Sequence, residues 1–317
     1  MHYDSNGVSR RDVLKAGLGA GLALTLRGLP AAAEEWGQGS PLVTKAIPSS
    51  GELLPVIGIG TARNYENAAT PEQRAPLRDV LRRFPELGGK VIDTAPGYGN
   101  AEIVVGDLLA ELGNRPRYFI ATKVSTRTGD VQAATKQMED SMRRLRTDRI
   151  DLMQIWNMSS PEALLPVLFD WKKAGRIRYV GATTSSERQY PELERVMNAQ
   201  PLDFIQINYA IDSRAAADRI LPLAAERKTA VLINLPFGRS RVFQKVAGKP
   251  LPDWAAEIDV TSWAQLFLKY LASHPSVTTV IPGTERVDYL TDNLGAARGR
   301  MPDAAMRKRI EALYDAL

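Results

Sequence analysis

The segment that decides the fold runs from residue 118 to residue 156 and reads YFIATKVSTRTGDVQAATKQMEDSMRRLRTDRIDLMQIW. It opens with one apolar run, Tyr118–Lys123, and closes with another, Asp151–Trp156, and both have the length of a buried strand. Between them, Val131–Leu145 has the spacing of an amphipathic helix, with Asp130 as its N-cap. Two strands separated by a helix lie parallel and are joined by a right-handed crossover. The segment therefore predicts one strand–helix–strand unit of a parallel α/β fold.

The same alternation continues on both sides of this unit. The further apolar runs are Val56–Gly60, Lys90–Asp93, Ile177–Gly181, Phe204–Asn208, Ala230–Asn234 and Thr278–Pro282. Helical stretches lie between them, and three have recognisable starts: the capping box Thr70-Pro71-Glu72-Gln73, the sequence Ser160-Pro161-Glu162, and Thr261 before Ser262–Ser273. Eight such units within about 230 residues predict a (β/α)8 TIM barrel.

Two shorter elements are predicted at the ends of the barrel. Residues 34–54 contain a turn signal at Pro48-Ser49-Ser50-Gly51, which predicts an N-terminal hairpin, and Met306–Ala316 predicts a C-terminal helix. An open doubly wound sheet is the alternative, but Gly58-Ile59-Gly60-Thr61-Ala62-Arg63 lacks the third glycine and the helix start of that fold. Residues 34–317 are therefore expected to form a single barrel domain.

The first 33 residues have the three parts of an export signal. Ser9-Arg10-Arg11-Asp12-Val13-Leu14-Lys15 precedes the mildly apolar run Ala16–Leu26, and Ala31-Ala32-Ala33 offers a cleavage site. The paired arginines resemble the bacterial twin-arginine (Tat) signal. Eleven apolar residues are too few to cross a bilayer. We therefore predict a signal peptide at 1–33, the Tat machinery as a partner, a periplasmic mature protein, and no stable membrane span after cleavage.

Composition excludes several classes of site. The chain of 317 residues has no cysteine and two histidines, His2 and His274, which excludes thiolate metal sites and makes a histidine-rich metal site or a Ser-His-Asp triad untenable. The net charge of +5 is dispersed, and no block of like charge is long enough to indicate a nucleic-acid partner. We expect no metal and no nucleic acid.

Polar side chains stand at the ends of neighbouring strands, where barrel enzymes carry their chemistry. Asp93 ends the second strand, Lys123 the third and Trp156 the fourth, while Tyr98 lies five residues beyond Asp93. An ammonium held by a carboxylate lowers the pKa of a nearby phenol, which can then donate a proton near neutral pH. The plainer interpretation is a structural Asp93–Lys123 ion pair, but the three groups together favour an acid–base site.

These residues also resemble a known family. Asp93-Thr94-Ala95-Pro96-Gly97-Tyr98-Gly99, with Glu102 and Gly106, is similar to the aldo-keto reductase motif D-T-A-x-x-Y-G-x-x-E-x-x-x-G. Ile120–Val124 is similar to that family's catalytic-lysine strand, and ordered similarity extends from about residue 46 to the C-terminus. The resemblance implies a barrel that reduces carbonyl compounds with NADP(H), without a metal, using Asp93, Tyr98 and Lys123.

One position departs from the family. In Asp151-Leu152-Met153-Gln154-Ile155-Trp156-Asn157, Trp156 stands where the family has its fourth catalytic residue, a histidine. An indole N–H donates a hydrogen bond and never titrates, so a proton relay through this position is lost. Trp156 is either a donor to the carbonyl or a bulky plug that narrows the mouth.

The cofactor positions are implied by the same resemblance. Thr183 and Thr184 stand where the family binds the nicotinamide carboxamide, and Gln206 matches the family glutamine. Asn234 replaces a stacking tyrosine, and Gly238, Arg239 and Arg241 suit a pyrophosphate. Arg286 offers a partner for a 2′-phosphate and favours NADP(H), although solvated surface charge is the plainer interpretation of these arginines. The full implied set is Gly60, Thr61, Asp93, Thr183, Thr184, Gln206, Asn234, Pro236, Phe237, Gly238, Arg239, Arg241, Thr284, Arg286, Asp292 and Asn293.

The sequence thus predicts an exported NADP(H)-dependent oxidoreductase that acts on a small carbonyl compound or the corresponding alcohol, with Tyr98 as proton donor. The alternative is a barrel that binds a nicotinamide nucleotide with little turnover, as a sensor or assembly module. A third hypothesis is a lyase with Lys123 as a Schiff base. We also expect the segment flanked by Trp254 and Trp263 to cover the substrate, Trp171 to pack in a helix, and His274 to lie in a surface loop.

Overall fold

The structure is a computed structural model, and it describes residues 41–317. The predicted signal peptide and its cleavage site lie outside these residues. Within residues 41–317, no helix is both long and apolar enough to cross a membrane.

The strands and helices alternate through most of this range. The strands are β1 (Thr44–Ala46), β2 (Leu53–Pro55), β3 (Ile59–Gly60), β4 (Val91–Asp93), β5 (Phe119–Val124), β6 (Ile150–Ile155), β7 (Ile177–Thr183), β8 (Phe204–Asn208), β9 (Ala230–Asn234) and β10 (Thr279–Val280). The helices are α1 (Pro71–Glu86), α2 (Ala101–Leu112), α3 (Val131–Arg144), α4 (Pro161–Lys173), α5 (Tyr190–Ala199), α6 (Ile220–Glu226), α7 (Arg241–Gln244), α8 (Trp263–Ala272), α9 (Val287–Gly295) and α10 (Ala304–Ala316).

Strands β3 to β10 form a parallel barrel in chain order, each pairing with the next. The first and last strands meet at a seam, where Gly60 forms a parallel bridge with Gly283 and the Gly60 N–H donates to the Pro282 carbonyl at 3.0 Å. A Cβ at Gly60 would lie 2.9 Å from the Ile281 carbonyl oxygen, so this glycine permits the close approach at the seam. The predicted (β/α)8 barrel is confirmed.

The predicted N-terminal hairpin closes the bottom of the barrel. β1 and β2 pair antiparallel around a turn in which Gly51 has a φ of +76°. Ile47 and Leu54 of the hairpin pack with strand residues such as Phe119 and Phe204 in one buried cluster. Within residues 41–317, the hairpin therefore covers this end of the barrel, and the carboxyl ends of the strands lie at the opposite end, where barrel enzymes bind their ligands.

The helix starts follow the predicted caps in part. Thr70 and Gln73 form the capping box, and the Asp130 carboxylate caps α3. At α8 the cap is Ser262 rather than Thr261, because the Ser262 hydroxyl accepts from the Gln265 N–H at 3.1 Å. Ser160 precedes α4 in a left-handed conformation, and its hydroxyl makes no capping bond.

Glu102 and Gly106 of the sequence motif hold α2 against its neighbours. The buried Glu102 carboxylate accepts from the Thr122 hydroxyl at 2.5 Å and from Arg144 at 2.8 Å. A Cβ at Gly106 would lie 2.0 Å from the Arg144 carbonyl oxygen, so α2 and the end of α3 are in backbone contact. These contacts fix the loop that carries Tyr98 relative to the strand that carries Lys123.

The predictions for three tryptophans and for His274 are confirmed only in part. Trp171 is buried in α4, as predicted. The Trp263 indole donates to the Lys249 carbonyl at 2.9 Å, and Trp254 packs under Arg309 of α10, so neither tryptophan lines the central cavity described below. The part of the long loop after β9 that lines the cavity comes earlier in the chain, within residues 235–243. His274 lies in the loop after α8, as predicted, and is half-buried beside Tyr209.

Candidate active site

The loops that follow the barrel strands surround a cavity of about 670 Å³. This volume is within the range of small-molecule and cofactor sites. All four predicted catalytic residues line it. Of the predicted cofactor residues, those lining it are Gly60, Asp93, Thr183, Gln206, Asn234, Pro236, Phe237 and Arg239.

Asp93 and Lys123 form a buried ion pair at the floor of the cavity. The Lys123 Nζ donates to both Asp93 carboxylate oxygens at 2.8 and 2.7 Å and to the Thr94 carbonyl at 2.8 Å. The Gln206 amide donates to Asp93 Oδ1 at 2.8 Å. Burial is the largest single influence on Lys123 and acts to lower its pKa, but the charges of Asp93 and Tyr98 and the hydrogen bonds to them together raise that pKa, so the ammonium stays charged.

Tyr98 lies over this pair, with the Lys123 Nζ 5.2 Å from its ring centroid. The sequence predicted that Lys123 would lower the pKa of this phenol; the ammonium does act in that direction, but the net pKa is raised, so the expectation of an acidified tyrosine is wrong. Burial of Tyr98 raises its pKa, the Lys123 ammonium lowers it by less, and the Asp93 carboxylate adds to the increase. The side chain is therefore a neutral phenol with its proton in place across the neutral pH range.

Trp156 forms the wall of the cavity beside Tyr98. The two rings are nearly perpendicular, at 87°, with their centroids 5.6 Å apart. Trp156 begins a short 3₁₀ turn directly after β6, so the end of that strand places the indole at the mouth, as predicted from the sequence.

Three polar side chains from adjacent strands face the same space. Thr183 ends β7, and its hydroxyl accepts from the Asn157 N–H at 3.1 Å. The Asn234 amide donates to the Thr184 carbonyl at 3.1 Å, and its buried Oδ1 has no partner among the described residues. Thr184 itself points away from the cavity, with its hydroxyl donating to Gln189 at 2.6 Å. Thr183, Gln206 and Asn234 thus offer a hydroxyl and two amides to a ligand.

The loop after β9 bends sharply around the cavity. Leu235 and Arg239 have positive φ values of 49° and 58°, and Pro236, Phe237 and Arg239 line the cavity wall. Arg239 also lines a smaller adjoining cavity of about 440 Å³ together with Gly238 and Arg241. The Arg241 guanidinium is bound to Asp212 at 2.5 Å, so Arg239 is the arginine of this loop that faces the main cavity.

The residues predicted at the adenosine end are engaged with each other or with neighbouring helices. Arg286 makes a two-pronged ion pair with Asp288 at 2.8 and 2.9 Å, and neither residue lines the cavity. Asp292 accepts from Ser262 at 2.7 Å, which ties α9 to α8. The buried Thr284 accepts from Asn293 at 3.0 Å, and the buried Thr61 donates to the Asp93 carbonyl at 3.0 Å. None of Thr61, Thr284, Asp292 and Asn293 lines the cavity.

Several cavity residues were not singled out from the sequence. Arg63, Asn64 and Glu66, in the loop after β3, line the cavity, and so do Glu285 and Tyr289. The predicted barrel alone could have indicated the loop after β3, because every such loop reaches the mouth. Gly97 was quoted only as part of the motif, yet its Cα lies against the Trp156 ring. Within residues 41–317, no group of three or more acidic or histidine side chains could hold a metal.

Comparison with known proteins agrees with this geometry. Methylglyoxal reductase YeaE of Escherichia coli (strain K12) is 28% identical over 268 residues, which cover 83% of this chain and 92% of the relative. The NADH-specific methylglyoxal reductase of the same organism is 24% identical over 289 residues, covering 74% and 87%.

A solved structure shows the same fold. The crystal structure of an aldo/keto reductase from Klebsiella pneumoniae in complex with NADP and acetate superposes with a TM-score of 0.70 at 25% identity, covering 83% of this chain and 93% of that one. The family model described as "Aldo/keto reductase family" matches residues 56–315. The chain belongs to the aldo/keto reductase family.

Proposed function

We propose that this protein is an NADP(H)-dependent oxidoreductase that reduces a small carbonyl compound by hydride transfer, with Tyr98 as the proton donor. The observation that carries the proposal is the neutral Tyr98 phenol next to the charged Lys123–Asp93 pair, in one cavity with Thr183 and Gln206.

The residues present fit a nicotinamide cofactor. A carboxamide needs hydroxyl and amide partners, which are supplied by Thr183, Gln206 and Asn234. The Asn234 Oδ1 is buried without a partner among the described residues, so it can accept a hydrogen bond from a ligand. Arg239 faces the cavity and would pair with a pyrophosphate. The Klebsiella pneumoniae structure is in complex with NADP. When bound, the reduced cofactor supplies the hydride.

The chain's own residues supply the proton and its placement. Tyr98 holds the transferable proton, and its raised pKa keeps that proton on the phenol until the carbonyl oxygen becomes basic. The Lys123 ammonium stabilises the phenolate that remains. Asp93 holds Lys123 by two hydrogen bonds, and Gln206 and Gln154 hold Asp93 at 2.8 and 3.4 Å.

The substrate class follows from the relatives and the mouth. Two relatives are named methylglyoxal reductases, which indicates a small reactive aldehyde or ketone. The Trp156 indole narrows the mouth beside Tyr98, which favours small or flat carbonyl compounds. The same site would catalyse oxidation of the corresponding alcohol.

The decisive variant is Tyr98→Phe, which removes the transferable proton and leaves the ring in place. We expect NADPH-dependent reduction of methylglyoxal and other small aldehydes to fall by at least about a hundred-fold, since positioned proton transfer contributes roughly 10²–10⁴-fold. The dissociation constant for NADPH should stay within about two-fold. Full activity of Tyr98→Phe would exclude this mechanism.

Replacement of the family histidine by Trp156 favours a second candidate, a barrel that binds the nucleotide with little turnover. A panel of aldehydes, ketones and quinones separates the two. Wild-type protein that binds NADPH but reduces none of them would support the binding module.

We further propose that the Tat machinery exports the protein to the periplasm, because Ser9-Arg10-Arg11 and the apolar run after it fit the signal. Replacing both Arg10 and Arg11 by Lys should retain the folded protein in the cytoplasm. Fractionation checks this, and undiminished periplasmic accumulation would contradict it.

A further inference from the structure

The Trp156 ring lies where a side chain at position 97 would be, so only a glycine there leaves room for it. A Cβ built on Gly97 would lie 2.3 Å from Trp156 Cη2 and 2.4 Å from Cζ3, far inside contact distance. The six-membered part of the indole therefore lies directly on the backbone of the loop that carries Tyr98. Gly97 and Trp156 are 59 positions apart, so this fit exists only in the folded chain.

The backbone that carries the indole is held in an unusual shape. Asn157 and Met158 have positive φ values of 48° and 54°, a backbone conformation that residues other than glycine rarely adopt. The Asn157 N–H donates to Thr183, and its carbonyl accepts from Gln189 at 2.8 Å. Ser159 closes the turn, with its N–H donating to the Trp156 carbonyl at 3.0 Å. Such strain persists where surrounding contacts fix the conformation, and it is common at functional sites.

The indole nitrogen is a donor without a partner. Trp156 Nε1 makes no hydrogen bond with any residue in the described range, and it is not among the sealed, unsatisfied atoms, so a ligand can reach it. This unpartnered N–H belongs to a side chain that lines the cavity beside Tyr98. An indole N–H donates at every pH. An imidazole gains or loses its second N–H, and with it a positive charge, at its ordinary pKa of about 6.5.

We propose that Trp156 is a permanent, non-titrating hydrogen-bond donor to the substrate carbonyl oxygen, and that Gly97 is the positioning residue that seats it. This rests on the proposed function. The carbonyl carbon gains the hydride of reduced nicotinamide, which is thereby oxidised, and the carbonyl oxygen gains the Tyr98 proton as the Tyr98 O–H bond breaks. The Trp156 N–H bond stays intact throughout and orients the oxygen.

Two substitutions at position 156 separate donation from bulk. Trp156→Phe keeps an aromatic ring and removes the N–H, and we expect kcat/KM for a small aldehyde to fall by about 10- to 100-fold with NADPH affinity unchanged. Trp156→His restores a titrating donor, and its kcat/KM profile should gain an ionisation near pH 6.5 that the wild type lacks. A Trp156→Phe variant with wild-type kcat/KM, or a Trp156→His profile without the new ionisation, would overturn the proposal.

Gly97→Ala tests whether position 97 places the Trp156 ring, because it changes the packing of the ring and leaves the indole N–H intact. The added methyl group displaces the ring, so we expect a loss comparable to that of Trp156→Phe. When Trp156→Phe is already present, Gly97→Ala should lower kcat/KM by less than about a further two-fold, because the two residues act as one unit. Equal losses in both backgrounds would contradict the assigned role of Gly97.

A binding measurement keeps this inference separate from the proposed function. Acetamide is a carbonyl compound that cannot be reduced here, and its affinity for the NADP⁺-loaded protein can be measured by calorimetry with Tyr98→Phe as the background. Trp156→Phe should weaken that affinity by about five-fold or more. An unchanged affinity overturns the donor role even if turnover is observed, whereas weaker binding supports it even if no carbonyl is reduced.

Discussion

Tyr98 and Lys123 show how a single site balances burial against charge. The ammonium lies beside the phenol, but removal of the phenol from water outweighs it, and the pKa of Tyr98 is raised. A raised pKa suits a group that must hold its proton until hydride arrives. Lys123 stays charged, because the charges of Asp93 and Tyr98 and the hydrogen bonds to them together outweigh the effect of its burial on its pKa.

This balance predicts the pH dependence of reduction. The donor must be protonated, so activity is lost only as pH rises through the raised pKa of Tyr98, above its ordinary value of about 10. We expect kcat/KM for a small aldehyde to be flat between about pH 7 and 9. Steady-state rates across that range check this, and a decline with an apparent pKa below about 9 would show that the phenol is instead acidified.

The preference for NADPH over NADH depends on whether the Arg286 guanidinium can exchange its ion pair with Asp288 for one with the 2′-phosphate. Because this ion pair is exposed to solvent it contributes little, so a 2′-phosphate can compete for the guanidinium at little cost. We expect Asp288→Asn to strengthen NADPH binding by about three- to ten-fold and to leave NADH binding unchanged. Arg286→Ala is the matched control and should weaken NADPH alone. Fluorescence titration of the wild type and both variants with each nucleotide gives the six affinities, and equal effects on both nucleotides would exclude Arg286 as the 2′-phosphate partner.

Among the elements, the contact between α2 and α3 fixes the catalytic loop most directly. An alanine favours a helix over glycine by about 1 kcal/mol, but a Cβ at Gly106 would lie 2.0 Å from the Arg144 carbonyl. We expect Gly106→Ala to lower the free energy of unfolding by about 1–3 kcal/mol, since overpacking exceeds the gain in propensity. Urea unfolding measures this.

Gly113, at the end of α2, is the control for that substitution. A Cβ there meets nothing within 4 Å, and only its left-handed φ of 62° is unfavourable for alanine. Gly113→Ala should therefore cost about 1 kcal/mol and leave kcat unchanged. A Gly106→Ala protein as stable as the wild type would mean that α2 can shift away from α3.

At the scale of the whole molecule, the N-terminal hairpin and the C-terminal helices enclose His274. The Lys45 ammonium donates to the His274 carbonyl at 2.6 Å, and Arg307 donates to the nearby Ser273 hydroxyl at 3.0 Å. Burial lowers the pKa of His274 from 6.5 to about 4, and the charges of Arg307 and Lys45 add to the effect. The imidazole is therefore neutral in the folded protein at neutral pH.

This lowered pKa predicts acid sensitivity. As pH falls from about 6.5 to about 4, the unfolded chain binds a proton at His274 and the folded chain does not, so stability is lost over that window. The loss is about 1–2 kcal/mol after allowance for partial exposure. His274→Asn keeps an acceptor for the Ser276 N–H and should flatten this part of the stability profile. Denaturant unfolding at pH 7, 5.5 and 4.5 checks it, and parallel profiles for the two proteins would contradict it.

The sequence by itself determined the barrel, because strand and helix periodicities are local and each predicted run became a strand with shifts of a few residues. It also determined the cluster of Asp93, Tyr98 and Lys123, since the carboxyl ends of parallel strands meet at one mouth. The hairpin at the bottom followed from its turn residues.

Only the tertiary structure decided how these groups are tuned and paired. The pKa of Tyr98 depends on burial by residues distant in sequence, the Trp156 ring depends on Gly97, and Arg286 and Asp292 are bound to Asp288 and Ser262. Residue type and spacing state what a side chain can bind. Which of the possible partners it binds, and how much water remains around it, is set by competition among groups that meet only after folding.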